Sequence, residues 1–252
     1  MPRANRYHIP GGVWHITHRC HKREFLLKFA RDRRRWVRWL YETRKRFGLT
    51  VLNYMVTSIH IHLLVVDGED EATIARSMQL VAGRTAQEYN LRKKRKGAFW
   101  EDRYHATAIE TGEHMRRCMA YIDLNMCRAG KVDHPARWEH CGYLAIQNPP
   151  VRYQIIDRER GAGLLGFGNV DELLVAQRAW VASWQEARSG RDLAWSESLA
   201  IGSRAFVNNI QTRLDNRARH RQVEEHDGRF VLTEISSAYG IDSDHEIDPL
   251  SP

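Results

Sequence analysis

An α+β fold, with a ferredoxin-like or RRM-like antiparallel sheet, packed helices and a mainly helical C-terminal extension, is what the 252-residue sequence predicts. Three observations carry that expectation. Segments of apolar period two and period 3.6 follow one another as β-α-β-β-α-β-α over the first 130 residues. Two of the strands adjoin with no helix between them, which requires a hairpin. Beyond residue 131 only helical patterns persist.

The first strand is VWHITHRC (13–20), with Trp14, Ile16 and Cys20 on one face and His15, Thr17 and Arg19 on the other. Residues 26–48 place Phe29, Trp36, Leu40 and Phe47 on a helix rich in arginine, and Gly48 is a natural end cap. LTVLNYMVT (49–57) and IHIHLLVV (59–66) are the hairpin strands, joined at Thr57 and Ser58. A second helix covers 73–94 and runs into the basic loop KKRKG, and HATAIE (105–110) is the fourth strand. A third helix is expected over 111–130, with Thr111 as N-cap, Glu113 in the first turn and Gly130 at its end. In the extension, 171–187 and 203–214 read as helices. The divisions expected are a first domain at 1–148, a helical extension at 149–232 and a disordered polar tail at 233–252.

Composition narrows the function. Apolar residues make up 42%, enough for a core, and no apolar run is long enough to span a membrane. The start MPRANRYHIPGG lacks the apolar centre of a signal peptide, so a cytoplasmic protein is expected. Four cysteines without CxxC spacing read as reduced thiols. Residues 1–130 hold 25 Lys+Arg against 13 Asp+Glu, whereas 131–252 hold 14 against 18. A first half this basic points to a polyanion partner, nucleic acid above all.

The stretch SIHIHLLVVD raises the chemical question. On a strand, His60 and His62 share one face, while Ile59, Ile61, Leu63 and Val65 are expected to point into the core. A single histidine is more often a satisfied core or surface residue. Two at this spacing on so apolar a strand favour a divalent-metal site. A histidine-triad hydrolase would need a third histidine where Leu64 stands, and a metallo-β-lactamase-like HxHxDH is broken by Leu63, Leu64 and Val65. On the third helix Met115, Met119, Ile122 and Met126 form the buried stripe. Arg117, Tyr121, Asn125 and Arg128 fall on another face: a phenol, an amide one turn later and two guanidiniums. Such a face can offer an oxygen ligand, a nucleophile and phosphate contacts. A tyrosine half-packed at a helix edge explains the same spacing. Asp123 points elsewhere and is not chosen.

Taken together, VTSIHIHLLVV, QLVAGRTAQEYN, GAFWEDRYHAT and YIDLNMCRAG, with GGVWHITHRCHKREF, resemble the HUH single-tyrosine transposases. The branch they resemble is the one associated with repetitive extragenic palindromes. The likeness covers about residues 10–145, and the histidine pair, WEDRYH and the YIxLNxxRAG helix in that order are highly specific. The resemblance implies that His60, His62 and Asn125 hold Mg²⁺ or Mn²⁺ and that Tyr121 attacks a phosphodiester of single-stranded DNA. It further implies a 5′-phosphotyrosine intermediate, hairpin-forming targets, a nucleoid-associated place of work and, in some members, a homodimer. The family usually carries asparagine just before the first histidine, where this chain has Ile59; the departure bears on the hairpin turn and on whether the site is a working or a retired one.

The charge pattern supplies candidate DNA contacts: Arg19, Lys22 and Arg23 after the first strand, Arg33, Arg34 and Arg35 on the first helix, and Lys93, Lys94 and Arg95 in the basic loop. Trp100, Arg103, Tyr104 and His105 could stack on or bond to bases, and Arg117 and Arg128 could meet phosphate. A metal-dependent nickase and strand transferase is the leading expectation. The alternatives are an RRM-like single-strand binder that has lost its chemistry and an RNA-processing nuclease that would not need Tyr121.

Overall fold

The computed structural model describes residues 8–186 and 192–234. Strand β1 (Val13–Arg19), helix α1 (Ala30–Phe47), strands β2 (Thr50–Val56) and β3 (His60–Val66), helix α2 (Ala72–Lys93) and strand β4 (His105–Ile109) follow in the expected order. They pair antiparallel as β2-β3-β1-β4, the ferredoxin-like arrangement. Helices α1 and α2 cover the face that carries Ile16 and His18. Trp36 meets Tyr54 there, and Trp100, stacked on His18 at 4.2 Å, donates from Nε1 to Ala82 O at 3.0 Å. Gly48, at φ 68°, ends α1 as expected and donates to Arg44 O at 3.0 Å.

Three boundaries differ from the sequence expectation. Helix α1 begins at Ala30 rather than at residue 26, and Phe29, expected on its apolar face, stands exposed as its N-cap residue. Strand β3 begins at His60, so Ile59 lies half-buried in the turn rather than in the core. Thr57 is the cause: its Oγ1 accepts from the amides of Ile59 at 3.2 Å and His60 at 3.0 Å, closing the turn before the strand starts. The helix expected over 111–130 divides into α3 (Glu113–Asp123) and α4 (Asn125–Arg128) at Leu124, where ψ rises to 2°. Its N-cap is Gly112 rather than Thr111, because the backbone there takes φ 72° and ψ −126°, open to glycine and strained for threonine. Gly130, at φ 62°, ends the segment as expected.

On the opposite face of the sheet from α1 and α2 lies α3. Asn53 of β2 donates from Nδ2 to Asp123 Oδ1 at 2.9 Å, and Gln177 donates to Asp123 Oδ2 at 2.8 Å. Burial pushes the Asp123 carboxyl up to about 7, against the two amide bonds that favour its charged form. Asp123 is thus a structural tie between sheet, α3 and extension.

Helix α5 (Gly142–Gln147) falls within the first 148 residues, and the extension beyond them holds α6 (Arg158–Leu164), α7 (Val170–Glu186), α8 (Ala194–Glu197) and α9 (Arg204–Leu214), the last matching the helix expected at 203–214. It also adds three strands the sequence patterns do not show: β5 (Ala200–Gly202), β6 (Arg221–His226) and β7 (Arg229–Glu234). Strand β5 runs parallel to β4, and β7 and β6 follow, giving one seven-stranded sheet in the order β2-β3-β1-β4-β5-β7-β6. Of the tail expected at 233–252, Thr233 and Glu234 close β7 and the rest lies outside the described residues.

Gly142, at the start of α5, packs directly on β2. A Cβ there would stand 1.9 Å from Asn53 Oδ1 and 2.8 Å from the Tyr54 amide nitrogen. Asn53 is held by Asp123 and by the Tyr54 N–H and has nowhere to go. Gly142→Ala is therefore expected to cost about 3 kcal/mol or more, at the upper end of overpacking effects. Urea unfolding of wild type and variant measures it, and a loss below about 1 kcal/mol would contradict the packing described.

Candidate metal and nucleophile site

Strand alternation sets His60 and His62 side by side, with ring centroids 4.8 Å apart and planes at 89°. His62 is buried and His60 half-buried. In the β1–β3 register Thr17 lies opposite His62 and Arg19 opposite His60. One residue pair further along the same face stands His15, fully buried. Its Nε2 lies 3.0 Å from His62 Nδ1, and its Nδ1 donates to Trp195 O at 2.8 Å. Burial draws His15 down to about 4, despite the opposing pull of the Trp195 carbonyl, so the ring is neutral near pH 7.

The α3–α4 segment supplies the facing groups. Tyr121 meets His62 edge-on at 5.7 Å and His15 at 6.3 Å. Asn125 Nδ2 stands 3.1 Å from His62 Nε2. Arg128 lays its guanidinium over the Tyr121 ring at 4.2 Å and donates to the Tyr121 carbonyl. From the extension, Trp195 stacks on Tyr121 at 5.9 Å, and Arg229, paired with Asp192, caps Trp195 at 4.6 Å. Tyr121 is thereby enclosed, with 4% of its surface exposed. The break at Leu124 leaves Asn125 within reach of His62.

Among the described residues no group of three or more His, Cys, Asp and Glu side chains is placed to hold a metal. The expected set needs the Asn125 amide as its third donor. Two imidazole nitrogens and an amide oxygen suit Mn²⁺, and Mg²⁺ less closely.

The expected DNA contacts differ in how far they face solvent. Lys22 and Arg23 are exposed in a turn of positive φ, and Lys93, Lys94 and Arg103 are exposed around the basic loop. Backbone bonds Cys20 N→Ile59 O and His21 N→Phe99 O bring both segments to the His60 end of the sheet. Arg19, Arg34 and Arg35 lie near carboxylates, at 3.9, 3.6 and 3.5 Å from Glu101, Glu139 and Glu88. Tyr104 is half-buried beside the start of β4. Several others are turned inward. Arg33 donates to Leu27 O and Lys28 O, Arg95 to Ala98 O, and Trp100 is packed on His18. His105 is bonded to Ser198 O at 2.8 Å. Arg117 pairs with Glu113 and reaches Asp227 O, away from the histidines. His15, Thr57 and Trp195 were not among the expected site residues. The alternation of β1 carries a signal for His15, but only pairing with β3 makes it legible; Trp195 lies in a segment with no usable period.

An inner strand with a histidine pair is thus faced by a helical segment that carries a tyrosine and then an amide. Residues 11–125 match the family described as IS200-like transposase. No curated protein matches the chain. Among solved structures, a REP-associated tyrosine transposase bound to a REP hairpin is similar, at 17% identity and TM-score 0.47, over 62% of this chain and 94% of that one. A putative transposase from Deinococcus radiodurans is similar at 15% identity and TM-score 0.34, over 52% of this chain and 96% of that one. No helix among the described residues is long and apolar enough to cross a membrane.

Proposed function

We propose that the protein cleaves and rejoins single-stranded DNA at hairpin-forming repeats, with Tyr121 as nucleophile and His60, His62 and Asn125 as ligands of Mn²⁺ or Mg²⁺. The observation that carries this reading is the convergence of Tyr121 and Asn125 on His62 within one chain. The Tyr121 oxygen would attack phosphorus, the bond to the 3′-oxygen would break, and that oxygen would leave as a 3′-hydroxyl. The ester formed on Tyr121 conserves the bond energy, so a second DNA end can reverse the step. A bound divalent ion would polarise the phosphate and offset charge building on its oxygens. Arg128 holds the phenol ring, and the exposed Lys22, Arg23, Lys93 and Lys94 would track the backbone at the His60 end, with affinity falling steeply as salt rises. Residues 1–148 supply every reacting group in this reading, and 149–232 supply the wall against Tyr121. Its substrate places its work in the cytoplasm, at the nucleoid, and a single chain suffices.

One observation favours a second reading. Tyr121 is enclosed between Arg128 and Trp195, so DNA meets it only once that enclosure opens. A protein that never opens it would bind single strands without chemistry. Incubation with single-stranded hairpin DNA and Mn²⁺, followed by a denaturing gel, separates the two. A protein-linked DNA band that vanishes with EDTA is the expected outcome. Retained binding with no linked band under any divalent metal would leave only the binder.

A further inference from the structure

We propose that His15 is a positioning residue that fixes the tautomer of His62, so that Nε2 of His62 is a lone pair aimed at Asn125 before any metal arrives. The inference rests on the metal reading above. Its basis is a chain of three hydrogen bonds in which only one end has a choice. A backbone carbonyl can only accept, so the 2.8 Å contact between His15 Nδ1 and Trp195 O places the ring hydrogen on Nδ1. The neutral ring then has a lone pair at Nε2, and the 3.0 Å contact with His62 Nδ1 requires the hydrogen to come from His62. His62 Nε2 is left without hydrogen, and it stands 3.1 Å from the Asn125 amide. A half-turn of that amide exchanges Nδ2 for Oδ1, so nitrogen and oxygen donors would face the same space.

Thr57 stands beside His60: its hydroxyl donates to His60 O at 2.8 Å, and its oxygen, which accepts from the Ile59 and His60 amides, lies 3.2 Å from His60 Nδ1. His60 is thus anchored at the hairpin turn, and His62 by β1 and α8. Partners of this kind orient a metal ligand and raise its basicity. His15 lies deep under His62 and makes no approach to a substrate. Trp195 serves His15 through its carbonyl and Tyr121 through its ring, which makes α8 part of the site.

Long-range ¹H–¹⁵N spectra of the full, metal-free chain labelled in histidine test the tautomer directly, with His62→Gln assigning the signals. A protonated Nδ1 and a bare Nε2 on His62 are expected. Calorimetric titration with Mn²⁺ gives the second measurement. His15→Phe keeps the ring volume without an acceptor and is expected to weaken Mn²⁺ binding about 10- to 100-fold, while His15→Gln, whose amide oxygen can accept in its place, recovers most of it. An Nε2–H tautomer, or wild-type affinity in a folded His15→Phe, overturns the inference alone. Mn²⁺ binding indifferent to His62→Gln overturns the metal reading itself, and this inference with it. Should His15→Phe fail to fold, the spectrum of the unmodified chain decides.

Discussion

Tyr121→Phe is expected to abolish covalent capture of DNA, by at least about 10³-fold, and to leave the fold standing. The substitution removes one oxygen and no ring. The stack on Trp195, the edge contact with His62 and the Arg128 guanidinium overhead all remain available to phenylalanine. Stability should therefore change by no more than about 1 kcal/mol, the scale of one hydrogen bond. Binding of hairpin DNA should persist, because the exposed lysines and arginines are untouched. Denaturing gels read the adduct, and salt-dependent binding assays read the affinity. Cleavage that survives in Tyr121→Phe would assign the attack to water and make the protein a nuclease of another kind.

Trp195→Ala should have the larger effect on stability. Trp195 is 1% exposed and sits where the extension meets the site. It fills the space between the Tyr121 ring and the Arg229–Asp192 pair. Truncation opens a cavity the size of an indole, with an expected cost of about 3–5 kcal/mol. In a chain of this length that corresponds to a fall in melting temperature of roughly 10 °C. Adduct formation should fall as well, since Tyr121 loses the surface that holds its ring. Trp195→Phe should recover much of both. Denaturant unfolding checks the first expectation, and a loss under about 1 kcal/mol would show that the wall is not structural.

The ferredoxin-like half was legible because its signals are local. Alternation in 13–20 and 59–66 and the arginine-rich helix between them need no knowledge of partners. The histidine pair was legible for the same reason, being a fact about one strand. Its supports were not, since His15 becomes visible only when β1 is laid against β3 in register. The three added strands escaped for different reasons. Ala200–Gly202 is too short to show a period. The β6–β7 hairpin carries Asp227-Gly228, both at positive φ, a strong turn signal, but RQVEEH beside it is too charged to read as a strand. The helix at 111–130 broke at Leu124 without any glycine or proline to announce it. Ile59 was assigned to the core by alternation because the capture of two amides by the Thr57 hydroxyl is invisible to a pattern of period two.

The parallel join between β4 and β5 has a consequence for how copies of the chain can meet. In a four-stranded sheet of this order β4 would be an open rim, with unpaired amides and carbonyls ready to accept a strand from another molecule. Here Ala108 and Ile109 are already paired with Ala200 and Ile201. At the far flank, bridges from Val51 to Ile156 and from Met55 to Cys141 cover β2. Among the described residues β6 forms the other rim of the sheet, and its exposed Glu224 and Glu225 discourage a like-charged neighbour. The edge that β4 would otherwise present is thus closed within the chain by the strand at Ala200–Gly202.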